Sequence, residues 1–94
     1  MEAPNVAVVI GKMFSWKHKD PEKKMNLAKQ HLETRPTDEW PLVLKCAKKQ
    51  KNTQVVIFVE KMMEILNLSY IGAGIDIGSS IETINLEILS LFLD

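Results

Sequence analysis

The 94-residue sequence predicts an all-α fold, a compact bundle of four to five short helices in a single helical domain over residues 1–94. Three observations predict this class. Apolar residues recur at offsets of three and four along most of the chain, as on the buried side of a helix. Residue types that begin or end helices stand between these stretches. The only cysteine, Cys46, excludes internal disulfides, so stability must come from one packed core or from association.

The helices are predicted near residues 5–16, 20–34, 38–50, 53–67 and 79–93. In the first, Asn5 is a suitable cap, and Val6, Val9 and Ile10 follow at helical spacing. An alternative is a short strand over Val6–Ile10, ended by Gly11 and paired with the glycine-containing segment 69–77.

The next two helices carry clearer boundary signals. Asp20-Pro21-Glu22 supplies a cap, a proline at the first helical position and an acid in the first turn. Thr37 or Asp38 is predicted to cap the following helix. Its apolar side chains stand at offsets of zero, three, four and seven: Trp40, Val43, Leu44 and Ala47.

The last two helices differ in how strongly they are predicted. Thr53 is a plausible cap for the fourth, although the run Val55–Val59 alone also suits a buried strand. Helical spacing that continues to Leu66 favours the helix. Ser79 and Glu82 stand at capping-box spacing, which predicts the start of the fifth helix there.

The fifth helix has more apolar residues than one buried side requires. Ile81, Ile84 and Ile88 complete a buried stripe, which needs a width of only about 100°. The remaining leucines are therefore expected to be partly exposed and to contact a protein partner or a second copy of the chain. The predicted contact residues are Met63, Leu86, Leu89, Leu93 and Glu87.

Charge is sorted along the chain, and this supports an alternative function. Between Lys12 and Lys51 there are eleven Lys or Arg residues and five acids, and no basic residue follows Lys61. Lysines next to an aromatic side chain suit nucleic-acid binding. The candidate residues are Trp16, Lys17, Lys19, Lys45, Lys48, Lys49 and Lys51. Interspersed acids, a single arginine and a pI of about 6.7 make a solvated lysine surface the preferred interpretation.

One short motif bears on nucleotide binding. The segment Gly74-Ile75-Asp76-Ile77-Gly78-Ser79-Ser80 resembles the first phosphate-binding motif of the actin and Hsp70 ATPase superfamily. The resemblance implies a phosphate-binding hairpin with Asp76 near a metal. Only fourteen residues follow Ser80, which leaves no room for the second phosphate loop, so a loop leading into the Ser79 cap is preferred.

Other catalytic and binding signatures are weak. His18, His31 and Cys46 stand at no recognised metal-ligand or nucleophile spacing. We expect no enzymatic activity, no cofactor or metal, no small-molecule substrate and no membrane span. The sequence predicts a small intracellular (cytoplasmic or nuclear) interaction protein that forms homo-oligomers or binds a protein partner. Viral accessory and adaptor proteins have this profile.

Overall fold

A computed structural model describes residues 2–71 and 77–93 of the chain. These residues form five α-helices and one 3₁₀ helix, Thr37–Glu39, and they contain no strand. The α-helices are α1 (Ala3–Ser15), α2 (Pro21–Glu33), α3 (Trp40–Lys49), α4 (Thr53–Ile71) and α5 (Ile77–Leu91). The predicted all-α class is confirmed.

The alternative strand at the N-terminus is wrong. Val6 and Ile10 are fully buried, whereas Val8 between them is exposed. In a strand these three side chains would share one side, so their burial follows the helical period. Residues 69–71, the beginning of the proposed partner strand, belong to α4, and residues 72–76 lie outside the described residues.

Helix boundaries agree with the predicted caps in one case out of five. The Asp20 Oδ1 accepts the amides of Glu22 and Lys23 at 3.1 and 3.3 Å, so the predicted cap of α2 is confirmed. Asn52, not Thr53, caps α4, because its Oδ1 accepts the Val55 amide at 3.3 Å.

The remaining three predicted caps are wrong. Asn5 lies inside α1, which begins at Ala3. The 3₁₀ helix contains Thr37 and Asp38, and no side chain caps α3. Because α5 begins at Ile77, Ser79 lies within its first turn and not at a capping position.

The helices form a ring in which α1 packs against α2 and α3, α4 packs against α3 and α5, and α5 closes onto α2. Helix α1 also packs against α4 across the ring. One side of α1 carries only small residues at four-residue spacing, Ala3, Ala7 and Gly11. A Cβ atom on Gly11 would lie 2.6 Å from the Asn52 Nδ2. Any larger residue at position 11 would therefore displace the Asn52 side chain, which caps α4.

Three phenylalanines connect the far end of α1 to the last two helices. The rings of Phe14 and Phe92 stack with centroids 4.3 Å apart. The ring of Phe58 meets them edge-on, at 6.2 Å from Phe14 and 6.0 Å from Phe92. Such pairs add stabilisation beyond their buried area. This cluster holds the end of α5 against α1 and α4.

The turn between α3 and α4 places a lysine in a left-handed conformation. Lys51 has φ 59°, and its amide donates to the Lys48 carbonyl at 3.1 Å. The Asn52 amide donates to the Ala47 carbonyl at 3.1 Å, which completes a Schellman motif. Glycine is the usual residue at this position because a Cβ atom is strained there.

We therefore expect Lys51→Gly to stabilise the protein. The relief of left-handed strain, about 1–2 kcal/mol, exceeds the added entropy of glycine in the unfolded chain, about 0.4–1 kcal/mol. Urea denaturation should show a gain of roughly 0.5–1 kcal/mol in the free energy of unfolding. Lys45→Gly, at an exposed position in the middle of α3, should instead lose about 1 kcal/mol. A Lys51→Gly protein that is less stable than the wild type would contradict this assignment of the turn.

Candidate functional site

The outer side of α5 exposes two large apolar side chains. Ile84, Ile88 and Phe92 are buried in the core, whereas Leu86 and Leu93 on the opposite side are 61% and 58% exposed. Leu89 lies between them at offsets of three and four and is half-buried. Leu86 and Leu89 share one side of α5 because residues three apart are neighbours on a helix. Leu93 follows two residues after the helix end at Leu91, and its amide donates to the Ser90 carbonyl at 3.4 Å. We call Leu86, Leu89 and Leu93 the α5 outer face.

Met63, also predicted as a contact residue, lies elsewhere. It packs against the core and lines a groove of about 310 Å³ between α3 and α4, together with Leu44, Glu60, Glu64 and Asn67. The sequence could not place it, because its neighbours are set by how α3 packs against α4.

Glu87 lies on the other flank of α4. It forms an ion pair with Lys61 of α4 and lines a groove of about 320 Å³ between α4 and α5. The structure therefore brings together Leu86, Leu89 and Leu93, with Glu87 at their α4 edge, and separates them from Met63.

The structure also exposes apolar residues that the sequence reasoning missed. Tyr70 and Ile71 are exposed at the end of α4, which extends four residues beyond the predicted boundary at residue 67. Leu42 of α3 is 48% exposed. The exposure of Leu42 could have been predicted, because this residue does not fall on the buried helical stripe formed by Trp40, Val43 and Ala47.

The candidate nucleic-acid residues form two groups. Lys45, Lys48, Lys49 and Lys51 are all exposed around the end of α3. The adjacent Gln50 donates its side-chain amide to the carbonyl of Pro4, in the first turn of α1, at 3.2 Å. Trp16, Lys17 and Lys19 follow the last turn of α1, and twelve helical residues from Pro4 to Trp16 span about 18 Å.

The connection between α1 and α2 is concave. Residues Phe14 to Lys19 line a depression of about 510 Å³. The Trp16 carbonyl accepts the His18 amide at 2.9 Å and the Lys24 Nζ at 3.1 Å. Lys24 is only 1% exposed, and its ammonium group suits the carbonyl-rich end of α1. These bonds fix the backbone at the base of the depression.

Two kinds of site considered from the sequence, a metal site and a phosphate-binding loop, can be compared with the described residues. Within residues 2–71 and 77–93, no three His, Cys, Asp or Glu side chains are grouped so that they could hold a metal ion. Ile77–Ser80, part of the motif that resembles a phosphate-binding hairpin, is helical. Gly74–Asp76 lies outside the described residues.

None of the helices in the described part of the chain is both long and apolar enough to cross a membrane. Comparison with known proteins gives no family: no family model matches the chain, and no curated protein or solved structure is detectably similar to it.

A polar contact holds the inner edge of α5 against α2. The Lys29 Nζ donates to the Asn85 Oδ1 at 2.6 Å. Burial lowers the pKa of Lys29 below its usual 10.5, because desolvation disfavours the charged ammonium group, and nearby Glu33 partly opposes this.

This lowered pKa predicts how stability changes at alkaline pH. Between the folded-state pKa of Lys29 and 10.5, the unfolded chain binds more protons than the folded chain, so stability rises with pH. Relative to Lys29→Met, the wild type should therefore gain stability as the pH is raised through the lowered pKa of Lys29 toward 10.5. Other titrating groups cancel in this difference, which urea denaturation measures. A difference that is flat or falls over the range would contradict the assignment.

Proposed function

We propose that the protein is a small non-catalytic interaction protein that self-associates through the α5 outer face. The observation that supports this proposal is the exposure of Leu86 on α5, opposite the buried Ile84 and Ile88, and of Leu93 just after the end of that helix. Leucines at offsets of three and seven are suited to contact a second helix. On the sequence features alone, we further propose an adaptor or viral-accessory type of role in the cytoplasm or nucleus.

The apolar contact alone would be weak. Burial of a whole leucine side chain contributes about 1.5–3 kcal/mol, so the exposed parts of Leu86 and Leu93 contribute roughly 2–4 kcal/mol together. Association costs at least about 4 kcal/mol in lost translational and rotational freedom. A partner must therefore contribute further apolar area and complementary charge.

Helix α3 of a second copy has this chemistry. Its outer side carries the exposed Leu42, with Lys45 and Lys49 at offsets of three and seven. Helix α5 carries the exposed acid Glu82 and no basic residue, and its other acid, Glu87, is already paired with Lys61 of α4. Two α5 outer faces would place like charges together, whereas α3 against α5 pairs opposite charges. The basic front half and the acidic back half of the sequence are then complementary surfaces of one self-association.

This pairing joins different surfaces of the two copies. Helices α3 and α5 lie on either flank of α4, as the two grooves along that helix show. A contact between α3 of one copy and α5 of the next is head-to-tail, and such contacts grow into chains unless they close into a ring. We expect the mean mass to rise gradually with concentration, with no plateau at a dimer.

Sedimentation at several protein concentrations and low salt tests the proposal. Leu86→Ser/Leu93→Ser should weaken association at least about tenfold, because every α3–α5 contact loses the apolar area of its α5 side. Lys45→Glu/Lys49→Glu should weaken it as well, through like-charge repulsion. The matched control is Lys17→Glu/Lys19→Glu, which makes the same change of net charge at the other end of α1 and should leave association unchanged.

A mixture of two variants gives the decisive comparison. Lys45→Glu/Lys49→Glu and Glu82→Lys should each associate poorly alone and should associate with each other, since each α3–α5 contact between the two different variants again pairs opposite charges. A chain that stays monomeric at every concentration overturns the self-association proposal. Equal weakening by the Lys17→Glu/Lys19→Glu control would show only a general charge effect and would overturn it too.

A further inference from the structure

The depression between α1 and α2 combines an exposed aromatic ring with cations. Trp16 is 38% exposed, and Lys17 and Lys19 on either side of His18 have exposed side chains. The rings of Trp16 and His18 lie 4.6 Å apart and are tilted by 51°. This surface is formed by the connection between α1 and α2, and its charged residues differ from those of the proposed self-association. Only Phe14, at its edge, contacts the end of α5, through Phe92.

The depression is held in shape before any ligand binds. Trp16 leaves α1 in an extended conformation, and its carbonyl accepts two hydrogen bonds, one of them from the buried Lys24. The His18 Nδ1 accepts the Asp20 amide at 3.0 Å, which assigns the ring proton to Nε2. A fixed aromatic platform loses little conformational freedom on binding.

The charges around the platform favour an anion. Five lysines stand between positions 12 and 24, against Asp20 and Glu22. The Asp20 carboxylate already accepts two amides of α2, and Glu22 is exposed in the first turn of that helix. The exposed lysines Lys12, Lys17, Lys19 and Lys23 remain for contact with an anion.

We propose that this depression binds single-stranded nucleic acid, with one base stacked on Trp16 and the adjacent phosphates bound by Lys17 and Lys19. Stacking is tolerant of base identity, and lysine binds phosphate as a point charge without reading bases. Binding is therefore independent of sequence. The α3 lysines are not part of this site, because Gln50 attaches that end of α3 to the first turn of α1.

Tryptophan fluorescence gives a local readout. Trp40 is 5% exposed and donates its indole N–H to the Arg35 carbonyl at 3.3 Å, so a ligand at the surface reaches Trp16 and not Trp40. Oligothymidylate should quench the exposed fraction of the emission at low salt. With two phosphates bound, the logarithm of the association constant should fall with the logarithm of salt concentration at a slope of about −1.4.

Three variants locate the site. Trp16→Ala should weaken binding by roughly five- to hundredfold, measured by anisotropy of a labelled oligothymidylate. Lys17→Glu/Lys19→Glu should abolish it, and Lys48→Glu/Lys51→Glu, at exposed lysines that have no part in the α3–α5 contact, should leave it within about twofold of the wild type. Circular dichroism of each variant verifies that the helices are retained.

Several results would overturn the proposal. Polyglutamate of similar length that binds as tightly as oligothymidylate would show an acidic-peptide site. Equal losses in the two lysine variants would show diffuse attraction to the whole basic surface. Unchanged binding by Trp16→Ala would show that no base stacks on Trp16. A wild-type protein that does not bind oligothymidylate at low salt would show that the depression is not a nucleic-acid site.

Discussion

The close approach of α1 to its neighbours is the constraint on which the rest of the bundle depends. Helix α1 packs against α2, α3 and α4, and it presents side chains of minimal size at Ala3, Ala7 and Gly11. At Gly11 the corner between α3 and α4 comes so near that a Cβ atom would meet the Asn52 side chain. That side chain caps α4, so the position of α1 and the start of α4 are set together.

This arrangement also determines which surfaces remain open. Because α4 packs between α3 and α5, these two helices lie on its flanks, and Leu42, Leu86 and Leu93 are exposed to solvent. The end of α1 carries Trp16 to the surface, where the buried Lys24 holds its carbonyl. The basic and acidic parts of the sequence thus lie on three surfaces of the folded chain. These are the exposed side of α3 with its lysines, the acidic and apolar side of α5, and the depression between α1 and α2 with its exposed aromatic ring.

Much of the fold could be predicted from local signals, because helical periodicity and the Asp20 cap depend on residues that are near in sequence. The exposure of Leu86 and Leu93 could be predicted for the same reason. The errors arose where tertiary packing decides. The run Val6–Ile10 suits a buried strand in sequence, and only the packing of α1 shows that Val8 is exposed. Met63 was grouped with the leucines of α5, but it lies on the opposite flank of α4, in the groove beside α3. The predicted capping box at Ser79 does not begin α5, because the helix starts two residues earlier, at Ile77.

The most direct test of the central constraint is the free energy of unfolding of Ala7→Leu, measured by urea denaturation beside Val8→Leu. Ala7 is fully buried on the small side of α1, whereas its neighbour Val8 is exposed. The larger side chain at position 7 should cost about 1–3 kcal/mol because α1 must move away from α3 and α4. Val8→Leu should change stability by less than about 0.5 kcal/mol. An Ala7→Leu protein as stable as the wild type would contradict the claim that this bundle is built on the close approach of α1.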